Sequence, residues 1–380
     1  MTLDKGKKIT AWKVAATYIG TVVGAGFASG QEVLQYFGYF GYGGILGLVI
    51  AGILFYYFGK QILILGKKLK AESHVPIIYY AGGKRIGKLL DYIITFFLFG
   101  AVTTMAAGAG AIFQEQFNLP VFWGNILMIV ATLFTVLTGI SGVINAISFV
   151  VPVLMVVILG ISAYIVFQQG IVISTLDLSG SPAVPYWPLS AVVYVSYNLV
   201  MAVAVLGPLG NETKNYDILK KGALWGSIGL AVGAVAILWT LFVTLSSSAD
   251  YAVPMIYVAG TLSPFVQQVY SIVLFAEIYT TAVGSLFGFV MRLSIHKSEL
   301  TRKYITIAAC IGALVASRVG FTGLVRTLFS MIGYAGLLLL GSLLYRNIKD
   351  KGISLIPQFT YRKRIGNKNS KEPKKDESNK

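Results

Sequence analysis

The chain has 380 residues, of which 56% are hydrophobic and 12% charged, with a mean hydropathy of +0.74. A soluble domain carries roughly a quarter charged residues, so this composition excludes a single water-solvated globule and makes lipid the solvent for much of the surface. The formal net charge of +16 raises the class of nucleic-acid binders, which the placement of that charge excludes below.

A membrane-spanning helix needs ~20 mostly apolar residues, because lipid offers no partner to an exposed peptide group. Ten stretches meet this condition: 11–38, 43–66, 86–116, 121–139, 142–168, 187–209, 218–247, 264–293, 302–319 and 323–346. The expected fold is therefore all-α and polytopic, with residues 1–10 as a cytoplasmic N-terminus and 347–380 as a basic cytoplasmic tail. The first stretch is too long for a cleaved signal and carries Gln31 and Glu32. Ten spans with an inside N-terminus put 29 of the 31 Lys and Arg in cytoplasmic segments, and only Arg318 and Arg326 on the other side. This is the positive-inside pattern of a cell (plasma) membrane protein. The charge reports topology and implies no nucleic acid partner. Cys310 is the single cysteine, which excludes an internal disulfide or a multi-cysteine metal site.

Helix 1 contains Gly20-Thr21-Val22-Val23-Gly24-Ala25-Gly26-Phe27-Ala28-Ser29-Gly30. Glycine costs a helix about 1 kcal/mol relative to alanine, so four in this run predict a break within the membrane. Such a break is tolerated where it lines a polar cavity. The amides from Gly24 through Ala25, Gly26, Phe27 and Ala28 to Ser29 would then suit an anionic group such as a carboxylate. The carbonyls near Gly20 and Val23 would suit a cation. Close helix packing through small residues is the competing explanation. In helix 3, Asp91 and Glu115 read as interfacial, and His74 and His296 lie in loops, too isolated for a metal site.

The ten spans divide into repeats of five, 11–168 and 187–346, joined by an extracellular loop at 169–186. An odd number per half inverts one against the other. Helix 6 should mirror helix 1. Asn198 interrupts its apolar run, Gly207-Pro208 reads as a break, and Tyr197 and Asn198 become candidates to face the solute. Helix 8 carries Glu277-Ile278-Tyr279-Thr280-Thr281. An ionised Glu277 at that depth must be protonated, paired or wet; ion coupling and structural bridging both meet this.

The segment from Gly20 to Gly30, extended through Gln31-Glu32, resembles the YkvI-like bacterial membrane proteins, within the amino acid–polyamine–organocation superfamily and its LeuT-type fold. The resemblance implies a 5+5 inverted repeat with discontinuous helices 1 and 6. It also implies a sodium ion held by the carbonyls of Gly20 and Val23 with the hydroxyls of Thr280 and Thr281, and Tyr279 as an alternative in the register of one hydroxyl. Phe27 stands where some relatives place the Asn of a second sodium site, so that site is not expected. Helix 5 lacks the Lys of some proton-coupled relatives, which favours sodium, while Glu277 keeps protons open. Relatives of this fold also suggest an outer gate, with Glu32 of helix 1 and Arg326 of helix 10 as the pair of swapped sign.

No G-x-x-x-x-G-K-[ST] loop occurs, so nucleotide hydrolysis is not expected, and no paired nucleophile and base suggests an enzyme. The expected function is ion-coupled carriage of a small solute, an amino acid or related zwitterion, by alternating access. The alternative is a non-transporting sensor on the same fold. No cofactor beyond the possible sodium is expected, and the expected partners are the small-molecule substrate and membrane lipid.

Overall fold

A computed structural model of the chain describes residues 9–170, 182–248, 253–320, 324 and 330–354. The regular structure among them is helical. In chain order the elements are α1 (Ala11–Val22), α2 (Ala25–Ala28), α3 (Gln31–Tyr36), a 3-10 turn (Gly38–Phe40), α4 (Tyr42–Lys68), α5 (Val75–Phe117), α6 (Val121–Leu137) and α7 (Ile140–Gln169). They continue with α8 (Trp187–Glu212), α9 (Tyr216–Ser248), α10 (Pro254–Leu262), α11 (Pro264–Leu293), α12 (Glu299–Ala316), a 3-10 turn (Ser317–Val319) and α13 (Ser330–Ser354). Among the described residues, α4, α5, α7, α8, α9, α11 and α12 are long and apolar enough to cross a membrane, and α6 is a shorter apolar helix.

The centre of the bundle is α8, buried along most of its length from Ser190 to Gly210. It is apolar all round, as a helix surrounded by other helices must be. It packs against α1, α4, α11 and α13. On the outer helices, Phe134, Phe149, Val156 and Phe265 face outward and are exposed. A water-soluble protein would bury such side chains, and lipid accepts them.

The expected break in helix 6 is not there: α8 runs unbroken from Trp187 to Glu212. Two local features account for this. The Asn198 amide donates back to the Tyr194 carbonyl at 2.9 Å, so the polar side chain is satisfied within its own helix. Pro208 withholds only the N–H that would have reached the Ala204 carbonyl. The nearby glycines serve packing, because a Cβ on Gly66 of α4 would strike the Gly207 carbonyl, and one on Gly210 would strike that of Leu63.

Three further differences follow from tertiary packing. Helix α5 starts at Val75, ahead of the expected residue 86, and bends at Gly83, whose φ of 68° is a left-handed conformation suited to glycine. The loop between α9 and α11 contains the nine-residue α10, too short to register as a span. His74 is fully buried rather than isolated in a loop, its Nε2 3.5 Å from Asp91 Oδ1. Asp91 in turn accepts from Arg292, through Nη2 at 2.6 Å and through Nε. The group ties the start of α5 to the end of α11. Burial holds the His74 imidazole below its ordinary pKa, although Asp91 pulls the other way.

Candidate functional site

The interruption expected in helix 1 is present. Helix α1 ends at Val22, and Val23 is extended, with φ −68° and ψ 122°. One turn of helix follows as α2, then Gly30 at φ 85°, then α3. Only Gly30 needs glycine for its backbone angle; there an L side chain would be strained. The chain satisfies much of the break internally. The Val23 N–H donates to the Ile19 carbonyl at 2.7 Å, and the Met255 N–H, from α10, to the Ser29 carbonyl at 3.0 Å. The Tyr270 hydroxyl donates to the Ala28 carbonyl at 2.5 Å. Ser29 donates to the Gly26 carbonyl and accepts from the Gln31 N–H.

Beside the break lies a small cavity of about 30 Å³, room for about one or two water-sized groups. Its walls come from α1, α8 and α11 with one residue of α5, and include Val23, Gly24, Tyr197, Asn198, Thr280 and Thr281. The Thr281 hydroxyl donates to the Val23 carbonyl at 3.4 Å. The Thr280 hydroxyl has two acceptors in reach, the Glu277 carbonyl at 3.0 Å and its Oε1 at 3.2 Å. Glu277 is fully buried, with Oε2 lacking a hydrogen-bond partner among the described residues. Sequence reasoning missed Ser285, which also lines the cavity. Its position one helical turn beyond Thr281 was the available signal.

Other residues named from the sequence stand apart from this cavity. Gly20 faces α7, where a Cβ would meet Ile147 and Val151. Phe27 is buried, with its ring tip toward Gly233 of α9, and Ala28 is wholly enclosed. Tyr279 turns to α6, its hydroxyl 2.5 Å from Thr135 Oγ1, and does not line the cavity. Of Ala25, only its place in α2 is described. Gly26 carries the Glu32 side chain, since a Cβ there would fall on the Glu32 carboxylate. Glu32 Oε1 accepts from the Tyr197 hydroxyl at 3.2 Å. Arg326, the other half of the expected gate, lies outside the described residues, as does most of 323–329.

Polar contacts tie α1 to α7 and α3 to α8 on either side of the break. Toward the start of α1, Thr17 Oγ1 and Ser148 Oγ of α7 lie 3.2 Å apart, and Lys13 Nζ donates to Asn145 at 2.9 Å. Toward α3, the Ser190 hydroxyl donates to the Tyr36 carbonyl at 2.7 Å.

No protein-family model matches the chain. Among solved structures it is similar to a Na+-coupled sialic acid symporter in a substrate-bound outward-open state, with a TM-score of 0.64 at 16% identity over 90% of this chain and 79% of that one. It is also similar to MhsT in complex with L-phenylalanine, with a TM-score of 0.61 at 16% identity over 90% and 93%. Mhp1, a nucleobase-cation-symport-1 family transporter, gives 0.57 at 14% identity over 89% and 78%. At these identities the likeness establishes the fold. Among sequences, the chain is 30% identical to the uncharacterized protein YyaD of Bacillus subtilis (strain 168) over 338 residues, 88% of this chain and 96% of that one. It is 32% identical over 343 residues to the uncharacterized membrane protein YkvI of the same organism, 89% of this chain and 96% of that one. Identity at this level along nearly the whole of both chains makes the relationship one of family: the chain belongs to the YkvI-like bacterial membrane proteins and has the LeuT-type fold.

Proposed function

We propose that the protein is an ion-coupled secondary transporter of a small solute, working by alternating access around the break between α1 and α2. The observation that carries this reading is the small cavity where the Val23 carbonyl meets the Thr281 hydroxyl of α11. A helix interrupted inside an apolar bundle frees backbone groups, and those the protein does not itself satisfy are left for a solute, an ion or water. The likeness in fold to symporters supports it. On this reading ten spans form two inverted sets of five, with α1 to α3 as the first and α13 in the last. Both termini face the cytoplasm, across the cell membrane.

Sodium fits the donors present. The Val23 carbonyl and the Thr280, Thr281 and Ser285 hydroxyls are all oxygen, as a hard monovalent cation requires, and the Gly20 carbonyl in the last turn of α1 completes the proposed set. Glu277 is the proposed alternative coupling group, for a proton. Glu32 and Arg326 are the proposed outer gate. The solute would sit between α1 to α3 and α8, against Tyr197 and Asn198, and an amino acid or related zwitterion is the proposed class. The residues given from sequence as its anionic pole, Gly24 to Ser29, remain part of that proposal, with Gly24 the member that borders the cavity.

Uptake into proteoliposomes tests this, with sodium and pH gradients imposed separately over a panel of amino acids and amines. Accumulation driven by either gradient is expected. Saturable binding without flux would favour a sensor instead.

A further inference from the structure

The ion site described above does not use Glu32. It stands in the first turn of α3 with its side chain doubled back over Gly26. Oε1 accepts from Tyr197, while Oε2 is shut off from solvent without a hydrogen-bond partner among the described residues. None of the ion pairs among those residues includes it. A carboxylate in that position is costly unless something positive neutralises it.

A proton, a metal ion or a cationic solute could do so, and the surroundings argue against the metal. A metal ion wants several hard ligands, and no group of three or more His, Cys, Asp or Glu occurs among the described residues. Its hydrogen-bond partner Tyr197 is aromatic. Tyr36, Tyr194 and Tyr197 are all within electrostatic reach of its carboxylate. The Tyr194 ring lies 5.3 Å from Tyr36, 5.0 Å from Phe37 and 5.9 Å from Phe55, centroid to centroid. One acid among tyrosine rings is the chemistry that holds an organic ammonium, with charge pairing on one side and cation–π attraction on the others. Tyr197 joins this cluster to the cavity, since its side chain lines the cavity wall and its hydroxyl ends on Glu32.

We propose that Glu32 is the receptor for an organic ammonium group, so that the solute must carry a positive amine and need not carry a carboxylate. This rests on the reading of the break as a solute site and narrows its substrate class, and it takes the solute, in place of Arg326, as the partner of Glu32. The carboxylate over Gly26 belongs to the protein itself, so the pole of the site that meets the solute there is negative. A substrate carboxylate placed beside it would be repelled.

Purified full-length protein, titrated with choline, ethanolamine, glycine and propionate and followed by thermal shift and calorimetry, tests it. Choline or ethanolamine is expected to bind and propionate not. Glu32→Gln keeps the shape and the Tyr197 hydrogen bond but loses the charge, and should weaken ammonium binding at least about tenfold. Glu32→Asp keeps the charge on a shorter arm, so the preference for ammonium should survive with weaker binding, which covers the case where Glu32→Gln does not fold. Failure of choline, ethanolamine and glycine alike to bind, binding of propionate in their place, or wild-type ammonium affinity in either folded variant would overturn the proposal. Ammonium binding that depends on Glu32 without any flux would defeat the carrier reading and leave this one standing. Gradient-driven uptake of propionate would do the reverse.

Discussion

Helices 1 and 6 both carry helix-breaking residues in sequence, more of them in helix 1, and only helix 1 breaks. In the first, extended backbone at Val23 and the left-handed Gly30 bracket a single turn, α2. In the second, α8 runs through Asn198, Gly207 and Pro208 without interruption. The difference lies in what the irregular residues meet. Around α2, donors from α10 and α11 are in place to take the freed carbonyls of Ser29 and Ala28. Around Gly207 the close neighbour is the backbone of α4 at Gly66, a contact that needs closeness. A glycine permits a break; outside partners decide whether it is used.

Paired substitutions sharpen this contrast. Gly26→Ala places a methyl on the Glu32 carboxylate, and Gly66→Ala places one on the Gly207 carbonyl. The first should cut uptake more than about tenfold, by moving a charged group in a well-packed site. The second should cost roughly 1–3 kcal/mol of stability and leave solute preference unchanged. Thermal unfolding read beside uptake separates the two, and equal effects on both readouts would erase the distinction between a working break and a packing glycine.

A smaller effect is expected at the ion site. Thr281→Ala removes the hydroxyl that reaches the Val23 carbonyl, a loss of about 1 kcal/mol. The sodium concentration for half-maximal uptake should rise several-fold, with little change at saturating sodium. An unchanged sodium dependence would remove Thr281 from the site.

The smallest effect belongs to His74, at the far end of α5. Burial lowers its pKa in the folded state, so above about pH 6.5 the imidazole is neutral folded or unfolded and stability is unaffected. As pH falls through that value the unfolded chain takes up a proton that the folded one resists, and stability declines. His74→Gln should flatten this part of the stability profile between about pH 6.5 and 5. A profile that does not change would mean the folded imidazole titrates normally.

Much of this was legible in the residues. Apolar length located the spans of α4, α6, α7, α8, α9 and α11 closely, because lipid imposes that length directly. The glycine run located the break, and the family resemblance pointed to Thr280 and Thr281, both of which line its cavity. What could not be read were relations between distant elements. Nothing near Asn198 in sequence announces that its amide is satisfied within the helix, nor does Gly207 name Gly66 as its neighbour. The family resemblance suggested Glu32 as half of an outer gate. Its return over Gly26 depends on the turn at Gly30, and its hydrogen bond depends on Tyr197, 165 positions away.

The most direct test of the break as the working centre is gradient-driven uptake by Gly24→Val. A Cβ at Gly24 would point toward Thr281 Oγ1 at 3.5 Å without striking backbone, so the added methyl groups should enter the cavity while the helices keep their places. Uptake should fall to background in a protein whose thermal unfolding is close to wild type. Wild-type uptake by a folded Gly24→Val protein would contradict the assignment and move the transport site elsewhere.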